Sequence, residues 1–439
     1  MGSRKVRDLT LTIVANRSLH AVLVERPGPR LIELLAGALD GSGPAIAPVD
    51  ARLPEARQAE VLAALAPDTV EDREGVTTFR SAQEEGVAEG TAVILATSGS
   101  TGAPKGVELS ADALLHSARA SLARIGARPG ERWLCCLPAT HIAGIQVLVR
   151  SLVSGTDPVL AQRADAHTAV ASGCAHVSLV PAQLRRLLDI DIPTNADIPG
   201  PLTGFKTVLL GGAAAPTSLL DAAKAARVPV ITTYGMTETC GGCVYDGFPL
   251  DGVQVTIGGD DRIWIGGPVL FSGYLPGGPR GSGGKGFPPG AGGVWGGSSP
   301  PGQQWFRTGD LGRMESGRLV VRGRADDVIN TGGHKVVPGE VAAVLQTCPG
   351  VRDVAVLGQP DPEWGERVVA VVAPADRAEP PTPELIRLHV QERLPRYAAP
   401  SRVVMVDAVP MLPSGKHDLA RLRRELLRRE QTEAENVTN

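Results

Sequence analysis

A short loop at residues 97–106 combines the residue types that hold a polyphosphate. It follows the apolar run 92–97, and its glycines allow the backbone to turn tightly and to approach a ligand. Its hydroxyl side chains donate hydrogen bonds and its lysine supplies positive charge. It is not a Walker loop, because Lys105 lies between Pro104 and Gly106 and does not precede a serine or threonine. An ordinary glycine-rich turn is the alternative. The candidate phosphate-binding residues are Thr97, Ser98, Gly99, Ser100, Thr101, Gly102 and Lys105.

Five motifs along the chain resemble those of the adenylate-forming superfamily, which includes acyl-CoA synthetases, carrier-protein adenylation domains and luciferases. The segment from Ile94 to Lys105 is similar to its AMP-binding signature. The other four follow in the order of the family, and five ordered matches over residues 90–417 leave little room for chance. These four are Tyr234-Gly235-Met236-Thr237-Glu238-Thr239, Thr308-Gly309-Asp310, Gly323-Arg324-Ala325-Asp326-Asp327 and Gly415-Lys416.

The resemblance implies a reaction in which a carboxylate attacks the α-phosphorus of ATP. Because an anion approaches an anion, the site must neutralise charge on the phosphates and on the departing pyrophosphate. Glu238 is the candidate Mg²⁺ ligand, since Mg²⁺ prefers one or two carboxylates together with phosphate oxygens. Lys416 resembles the catalytic lysine of the family, a flexible point charge that can reach the α-phosphate and acyl oxygens. A surface glutamate and a loop lysine are the alternatives. Leu419 stands where the family usually has arginine, and we expect a local packing difference there.

The same resemblance assigns nucleotide binding to several residues outside the phosphate loop. Tyr234 resembles the adenine-stacking aromatic residue, with a core tyrosine as the alternative. Asp310 suits the two ribose hydroxyls because a carboxylate accepts both hydrogen bonds, and an ordinary turn aspartate is the alternative. Arg324 would add a ribose or phosphate contact. The full set is Gly211, Gly212, Ala213, Tyr234, Gly235, Thr237, Asp310 and Arg324.

Two half-reactions, adenylation and then thiolation by CoA, are also implied by the resemblance. They need two positions of a small C-terminal domain, and a hinge between the domains absorbs the backbone rotation. We expect residues 1–323 to form the AMP- and acyl-binding domain, 324–327 to contain the hinge at Asp326, and 328–439 to form the mobile domain. The loop Gly332-Gly333-His334 resembles the one that flanks the pantetheine tunnel in the thioester-forming state, with a plain β-turn as the alternative.

Two further features concern the pocket for the acid. His141 resembles the family residue that borders the carboxylate and gates the acyl pocket, with a satisfied structural histidine as the alternative. Cys240 and Cys243 have a metal-like spacing, but a zinc site needs a second pair of ligands and Cys135-Cys136 lacks that spacing. We therefore expect the thiols of Cys240 and Cys243 to line the acyl pocket.

The segments 137–155 and 237–252 resemble the o-succinylbenzoate–CoA ligases of menaquinone biosynthesis, in their compact actinobacterial form. The likeness implies a dianionic acid whose succinyl carboxylate is adenylated while its aryl carboxylate is a spectator. The residue that meets the spectator carboxylate is not identified by the sequence. A ligase for another aryl or acyl acid, an enzyme that adenylates an acid to load a carrier protein, and a nucleotide-binding protein without catalysis are the alternatives.

The elements that must position these residues are visible as apolar runs separated by amphipathic stretches. Helices are predicted between the runs, for example at 113–126 and 216–227. This order predicts a largely parallel sheet covered on both faces, with the active site beyond the carboxyl ends of its strands. The predicted strands are 92–97, 133–138, 176–181, 207–212 and 228–234.

The pattern changes in the last third of the chain. Segment 276–304 contains 12 Gly and 6 Pro in 29 residues, and we expect a flexible loop, with a functional lid as the alternative. Beyond Arg324 the order of elements predicts a compact α+β domain. The fold class is therefore α/β, with layered β-sheets and helices in a large N-terminal domain and a small α+β domain after it. Its predicted elements are helices 337–348, 382–394 and 418–430 and strands 351–359, 366–374 and 401–409.

Composition and charge argue against several other classes of protein. The 439 residues include 44 Lys+Arg and 47 Asp+Glu, a net charge of −3, so nothing indicates nucleic-acid binding. The longest apolar stretch, 143–153, is interrupted by Arg150 and is too short for a membrane span. Six cysteines in a chain of this length do not predict a disulfide framework, and the N-terminus is a poor signal peptide. We expect a cytoplasmic enzyme whose partners are a small carboxylic acid, ATP, CoA and Mg²⁺, and a homodimer is compatible with these features.

Overall fold

The fold is described by a computed structural model, which covers residues 16–79, 86–98, 104–189, 200–275, 304–412 and 416–438. Several sequence predictions lie outside these residues: the phosphate-loop residues Gly99, Ser100, Thr101 and Gly102, the side chain of Ser98, Gly415 and segment 276–304 apart from Gln304. The chain divides into two compact units. The first comprises 1–115, 139–141 and 271–286, and the second comprises 116–138, 142–270 and 287–439.

Strands and helices alternate along most of the chain. The strands are β1 (Asn16–Arg17), β2 (Leu19–Val24), β3 (Ala45–Asp50), β4 (Thr69–Glu71), β5 (Val76–Thr78), β6 (Val87–Ala88), β7 (Thr91–Ser98), β8 (Pro104–Ser110), β9 (Trp133–Cys135), β10 (Val159–Leu160), β11 (His176–Leu179), β12 (Thr207–Leu210), β13 (Val230–Met236), β14 (Gly241–Tyr245), β15 (Phe248–Pro249), β16 (Gln254–Ile257), β17 (Arg262–Gly266), β18 (Gly273–Tyr274), β19 (Trp305–Glu315), β20 (Arg318–Arg324), β21 (Ile329–Thr331), β22 (His334–Val336), β23 (Val351–Asp361), β24 (Gly365–Pro374) and β25 (Arg402–Met405). The helices are α1 (Pro29–Asp40), α2 (Glu55–Leu65), α3 (Ala111–Arg124), α4 (Ile142–Val153), α5 (Ala166–Ala171), α6 (Pro181–Leu188), α7 (Thr217–Ala225), α8 (Pro338–Leu345), α9 (Pro383–Gln391) and α10 (Leu419–Thr438), with 3₁₀ turns at Thr237–Thr239, Ala325–Asp327 and Arg396–Ala398.

The first unit is built on a seven-stranded sheet in the order β18-β8-β7-β3-β2-β4-β5. Strand β2 is parallel to β3 and β4, and Leu65 of α2 packs with Leu19 of β2 and Ile94 of β7 in its core. The predicted strand 92–97 is part of β7, which lies in this sheet, apart from the four strands expected beside it. It pairs with β8 as an antiparallel hairpin. An apolar run indicates that a strand is buried, but it does not specify which sheet the strand joins.

The second unit contains the other four predicted strands, in a sheet of order β10-β9-β11-β12-β13-β14-β15. Strands β10 to β13 are parallel, whereas β14 and β15 are antiparallel to their neighbours. Leu184 of α6 and Leu219 of α7 are buried in one core with Val208 and Leu210 of β12. Since β11, β12 and β13 are parallel, the residues that follow them lie at one edge of this sheet.

The C-terminal part of the second unit has a five-stranded sheet with helices on both faces. Along β23 and β24 alternate residues point to opposite faces, as the period of two in a strand requires. Val354, Val356 and Val368 pack against α8 and α9, while Ala355 and Val369 pack with Leu426 of α10. The predicted α+β domain is confirmed, although α10 runs to Thr438 where the sequence predicted an end near residue 430.

Two smaller features complete the fold. Strands β16, β17, β19 and β20 form an antiparallel sheet that carries Asp310 on β19 and Arg324 on β20. In the ranges that the structure describes, no helix combines the length and apolar composition needed to cross a membrane.

Candidate active site

Gly211 follows the end of β12, and its N–H donates a 3.1 Å hydrogen bond to the carbonyl of Leu179 at the end of β11. Gly212 follows with a positive φ of 83°, and Ala213 is half-buried. The three predicted residues therefore lie at the carboxyl edge of the parallel strands, where a nucleotide can approach the backbone.

The motif of residues 234–239 spans the end of β13 and the 3₁₀ turn after it. The pairing of β13 with β14 shifts register between Tyr234 and Gly235, a bulge of the kind that redirects side chains. The hydroxyl of Thr239 accepts a 2.9 Å hydrogen bond from the N–H of Met236 and bonds to the carbonyl of Gly241 at 2.8 Å. This fixes the turn that carries Thr237 and Glu238, both of which are half-buried.

Four predicted residues from three segments of the chain meet in one group, which we call the nucleotide cluster after the predicted role of its first three members: Tyr234, Asp310, Arg324 and Asp326. The Tyr234 hydroxyl donates a 2.8 Å hydrogen bond to Oδ2 of Asp310. Arg324 donates from Nη1 to Oδ1 of Asp310 and from Nη2 to Oδ2 of Asp326, each at 3.2 Å. Burial, followed by the nearby Asp310 carboxylate, raises the pKa of Tyr234, so its hydroxyl stays protonated as a donor.

The backbone around Asp310 explains why a Thr-Gly-Asp sequence precedes this cluster. The hydroxyl of Thr308, which is fully buried, accepts a 3.1 Å hydrogen bond from the N–H of Asp310. A Cβ at Gly309 would lie only 2.7 Å from Nη2 of Arg324, so a larger residue would displace the guanidinium. Each carboxylate oxygen of Asp310 has two lone pairs, and therefore both can still accept a ribose hydroxyl.

Glu238 offers carboxylate oxygens, the type of ligand atom that Mg²⁺ prefers in proteins. In the part of the chain that the structure describes, no cluster of three or more His, Cys, Asp or Glu residues could hold a metal ion. A Mg²⁺ ion that arrives with ATP needs no such cluster, because it keeps its waters and takes one or two carboxylates plus phosphate oxygens. A single half-buried carboxylate on a fixed turn meets that requirement.

Lys416 is exposed and lies just before α10. Its carbonyl accepts a 2.7 Å hydrogen bond from Leu412, and the following His417 pairs with Asp353 at 3.2 Å. Leu419 is partly buried and packs against the core beneath α10. A leucine therefore replaces the arginine of the family at a position that faces apolar neighbours here, which gives the expected packing difference a physical basis.

The loop Gly332-Gly333-His334 is a two-residue hairpin turn. Thr331 pairs with His334, and the two glycines have φ of 55° and 80°, the left-handed pair that a tight hairpin requires. The His334 ring stacks on that of Tyr397, with centroids 4.2 Å apart and planes 5° apart. The segment is thus a β-turn, and a role beside pantetheine stays a prediction.

In the first unit, Thr97 of β7 pairs with Lys105 of β8, and the Thr97 hydroxyl donates to the carbonyl of Lys105 at 3.4 Å. Strands β7 and β8, which flank the predicted phosphate loop, are therefore an antiparallel pair. His141 is exposed, and its proximity contributes to a lowered pKa of Asp50, after the larger effect of the hydrogen bond from Arg52.

Cys240 and Cys243 are completely buried, and burial raises the pKa of the Cys243 thiol to about 12. Both thiols are therefore protonated at neutral pH and are poor metal ligands. All six cysteines are buried and free of disulfides in the described structure. Contact of Cys240 and Cys243 with the acid stays a prediction.

One functional candidate was missed by the sequence analysis. Arg150 of α4 is only 5% exposed, although an arginine carries its charge at any pH in the physiological range. It donates to Oη of Tyr245 at 3.4 Å and to Oγ of Ser178 at 3.2 Å, and its Cζ lies 4.4 Å from the ring centroid of Trp133. We call this group the arginine site.

No carboxylate pairs with Arg150 among the described residues, and Nε has no hydrogen-bond partner there. Burial lowers the pKa of Arg150, which reflects the cost of a charge among neutral neighbours. In sequence, the only signal was a charged residue that interrupts an otherwise apolar helix. A buried cation with no anionic partner among the described residues is a candidate to receive an anionic ligand.

Two family models match this chain. Residues 44–275 match the model for AMP-binding enzymes, and residues 340–416 match the model for the AMP-binding enzyme C-terminal domain. The chain belongs to the AMP-binding enzymes. The sequence resemblance to this superfamily and its two-part α/β fold are thereby confirmed.

Relatives of this AMP-binding enzyme have been curated in several bacteria. This chain is 43% identical over 351 residues to a probable 2-succinylbenzoate–CoA ligase of Mycobacterium tuberculosis. The match covers 77% of this chain and 85% of the relative. The chain is 31% identical over 345 residues to the 2-succinylbenzoate–CoA ligase of Listeria monocytogenes, covering 74% of this chain and 68% of the relative.

Solved structures show the same fold. The o-succinylbenzoate-CoA synthetase from Bacillus subtilis, in complex with its acyl-adenylate intermediate, superposes with a TM-score of 0.72 at 26% identity, over 94% of this chain and 88% of that one. ATP-bound MatB from Rhodopseudomonas palustris has a TM-score of 0.77 at 21% identity over 94% and 89% of the two chains, a likeness of fold alone.

Proposed function

We propose that this AMP-binding enzyme is an AMP-forming o-succinylbenzoate–CoA ligase. Relatives in two bacterial genera carry that activity in their names, and one solved neighbour holds the corresponding acyl-adenylate. The observation in this chain that carries the proposal is the arginine site, since o-succinylbenzoate has a second carboxylate that a buried guanidinium without a carboxylate partner among the described residues would bind.

The reaction has two steps. An oxygen of the succinyl carboxylate bonds to the α-phosphorus of ATP, the bond to the bridging oxygen breaks, and pyrophosphate leaves with its electron pair. The sulfur of CoA then bonds to the acyl carbon of the adenylate, the thiol proton is lost, and AMP leaves. The product is o-succinylbenzoyl-CoA, an intermediate suited to menaquinone biosynthesis.

The nucleotide cluster would hold the adenosine part of ATP. Tyr234 would stack on adenine while its hydroxyl keeps Asp310 oriented, and Asp310 would accept hydrogen bonds from the ribose. Arg324 offsets the negative charge of Asp310 at 3.2 Å and would contact the ribose or a phosphate. The remaining nucleotide contacts in the proposal are the phosphate-loop residues with Lys105, the backbone at 211–213, and Gly235 and Thr237.

Glu238 and Lys416 would act on the reacting groups. When Mg²⁺ is bound it neutralises phosphate charge, and Glu238 would be its protein ligand. Lys416 would place its ammonium group near the α-phosphate and the acyl oxygens, where negative charge develops during adenylation. His141 would border the carboxylate that attacks.

Arg150 would bind the aryl carboxylate that takes no part in bond formation. The substrate anion would supply the missing partner of a cation that is already desolvated, so much of the desolvation cost is met before binding. A monocarboxylic acid of the same shape would leave the guanidinium unpaired. The ring carboxylate therefore provides specificity, while the succinyl carboxylate provides the chemistry.

The step to CoA would need the C-terminal domain to rotate about Asp326, in the 3₁₀ turn Ala325–Asp327. The turn is held by exposed ion pairs, Arg324 with Asp326 and Arg423 with Asp327, each at 3.2 Å. Exposed pairs contribute little stability, about 0–1 kcal/mol each, so they would exchange readily during rotation. The turn at 332–334 would then approach pantetheine. The enzyme would work in the cytoplasm, where ATP and CoA are available.

Pyrophosphate release with ATP and Mg²⁺ tests the proposal, with and without CoA. The acids are o-succinylbenzoate, benzoate, a medium-chain fatty acid and acetate. We expect turnover with o-succinylbenzoate alone, and acyl-CoA only when CoA is added. If another acid were turned over, the proposed substrate would be wrong but the adenylation reaction would stand. If the acyl group were transferred to a carrier protein and not to CoA, the proposed CoA-ligase activity would be wrong. If no acid led to pyrophosphate release, the proposed function would be wrong, and only the membership of the family would remain.

A further inference from the structure

Two aromatic side chains restrict the guanidinium of Arg150. The face of Trp133 lies 4.4 Å from Cζ, and the hydroxyl of Tyr245 accepts a hydrogen bond from Nη1 at 3.4 Å. Trp133 and Tyr245 are 0% and 1% exposed, so neither ring can turn away without disturbing the core. A stacked face limits movement normal to the guanidinium plane, and an acceptor at its edge limits rotation within the plane.

Trp133 is braced in turn by a polar chain. Its ring contacts that of His176, with centroids 4.8 Å apart, and Nε2 of His176 lies 3.0 Å from Oε2 of Glu131. The other oxygen of Glu131 pairs with Lys206. Glu131 is the only carboxylate named in this row of contacts, and it pairs with Lys206 and His176. It therefore does not neutralise the charge of Arg150.

Both side chains that restrict Arg150, Trp133 and Tyr245, carry no charge. An aspartate or glutamate could orient a guanidinium equally well, but it would neutralise the cation and compete with an anionic ligand. An indole face and a phenol hydroxyl fix the geometry and leave the charge available. Neutral restraints around a buried cation are therefore those of a receptor for an anion.

We infer that Trp133 and Tyr245 are positioning residues that determine specificity: they hold Arg150 ready for the second carboxylate and make the enzyme prefer an aryl dicarboxylic acid over the matching monocarboxylic acid. The inference rests on the proposed function. It adds that discrimination depends on the orientation of Arg150 as well as on its charge.

The test compares o-succinylbenzoate with 4-oxo-4-phenylbutanoate, which lacks only the ring carboxylate, in Tyr245→Phe and Trp133→Phe. The control is Tyr274→Phe, a half-buried tyrosine of β18 in the first unit. For Tyr245→Phe we expect KM for the dicarboxylic acid to rise about tenfold, the order expected when a hydrogen bond to a charged group is lost. Its kcat, its KM for ATP and its KM for the monocarboxylic acid should not change. Trp133→Phe keeps an aromatic face, and we expect a smaller rise of about threefold.

The outcomes separate this inference from the proposed function. Equal losses with both acids, or a Tyr245→Phe enzyme that discriminates as well as the wild type, would overturn the positioning role. A wild-type enzyme that uses the two acids equally would remove the role of Arg150 and the inference with it. If the wild type adenylated neither acid, the proposed function itself would fail before any variant was compared.

Discussion

Arg324 and Arg150 belong to the same compact unit, but their guanidinium groups have opposite surroundings. The Arg324 side chain is 52% exposed and pairs with two carboxylates, whereas Arg150 is 5% exposed and contacts only neutral groups among the described residues. In the nucleotide cluster the guanidinium already has two anionic partners within the protein, so a ligand there would be met by hydrogen bonds. In the arginine site no carboxylate pairs with the guanidinium among the described residues, so an anionic ligand would complete the pair.

The two surroundings suit different substrates. A carboxylate that is already paired can still accept hydroxyl hydrogen bonds, which suits a ribose. A desolvated cation without a partner favours an anion far more than a neutral group, which suits a spectator carboxylate. Four substitutions test whether the two regions recognise their ligands in these different ways.

The largest effect is expected for Lys416→Ala, which lies outside both regions. Because Lys416 would stabilise charge that develops only during adenylation, the rate of pyrophosphate release should fall about 10²–10³-fold or more, with the KM values for ATP and the acid little changed. Transfer of a synthetic acyl-adenylate to CoA should continue. If that second step were equally impaired, Lys416 would not be specific to adenylation.

Arg150→Met should have the next largest effect and should act on the acid alone. Removing one partner of a buried charge pair costs about 2–5 kcal/mol, so kcat/KM for o-succinylbenzoate should fall about 100-fold while KM for ATP stays constant. Urea unfolding of the free enzyme should show unchanged or increased stability, since an unpaired buried charge is removed. A marked loss of stability would mean that Arg150 is a structural residue and not a receptor.

Asp310→Asn should act on the other region. The loss of a charged acceptor for ribose costs about 1.5–3 kcal/mol, which predicts a rise of roughly 10- to 100-fold in KM for ATP. Discrimination between o-succinylbenzoate and its monocarboxylic analogue should be retained. A parallel loss of discrimination would show that the two regions act as one.

The smallest effect is expected at Glu131, which contacts the arginine site through His176 and Trp133. This effect is on stability, and it depends on pH. The hydrogen bond from Lys206 is the main cause of the low pKa of Glu131, about 2. Because this pKa is below that of the unfolded chain, about 4.5, Glu131 adds stability above pH 4.5 that is lost as the pH falls toward 2. The difference in unfolding free energy between wild type and Glu131→Gln should therefore shrink between pH 6 and pH 3. A difference that is constant over this range would exclude the ionised carboxylate as its cause.

Much of the nucleotide chemistry could be read from local sequence, because each motif combines a turn with a functional side chain. Tyr234 and Asp310 were both predicted, but their contact joins strands that are 76 residues apart, and only the folded chain shows it. The strand at 92–97 was also predicted, yet it lies in the sheet of the first unit. Strand patterning reports burial, while sheet membership depends on pairings across long stretches of chain.

The amino-acid sequence alone was enough to identify the family, the order of its two parts and the residue types of the candidate nucleotide site, since glycines, hydroxyls and charges at fixed spacing express local chemistry. Arg150 was visible only as an interruption in an apolar helix. Its significance was decided by tertiary structure, because burial, the neutrality of its neighbours and the rings of Trp133 and Tyr245 are properties of packing between elements. A charge acquires the energetics of a receptor only when the fold removes its water without supplying a counter-ion.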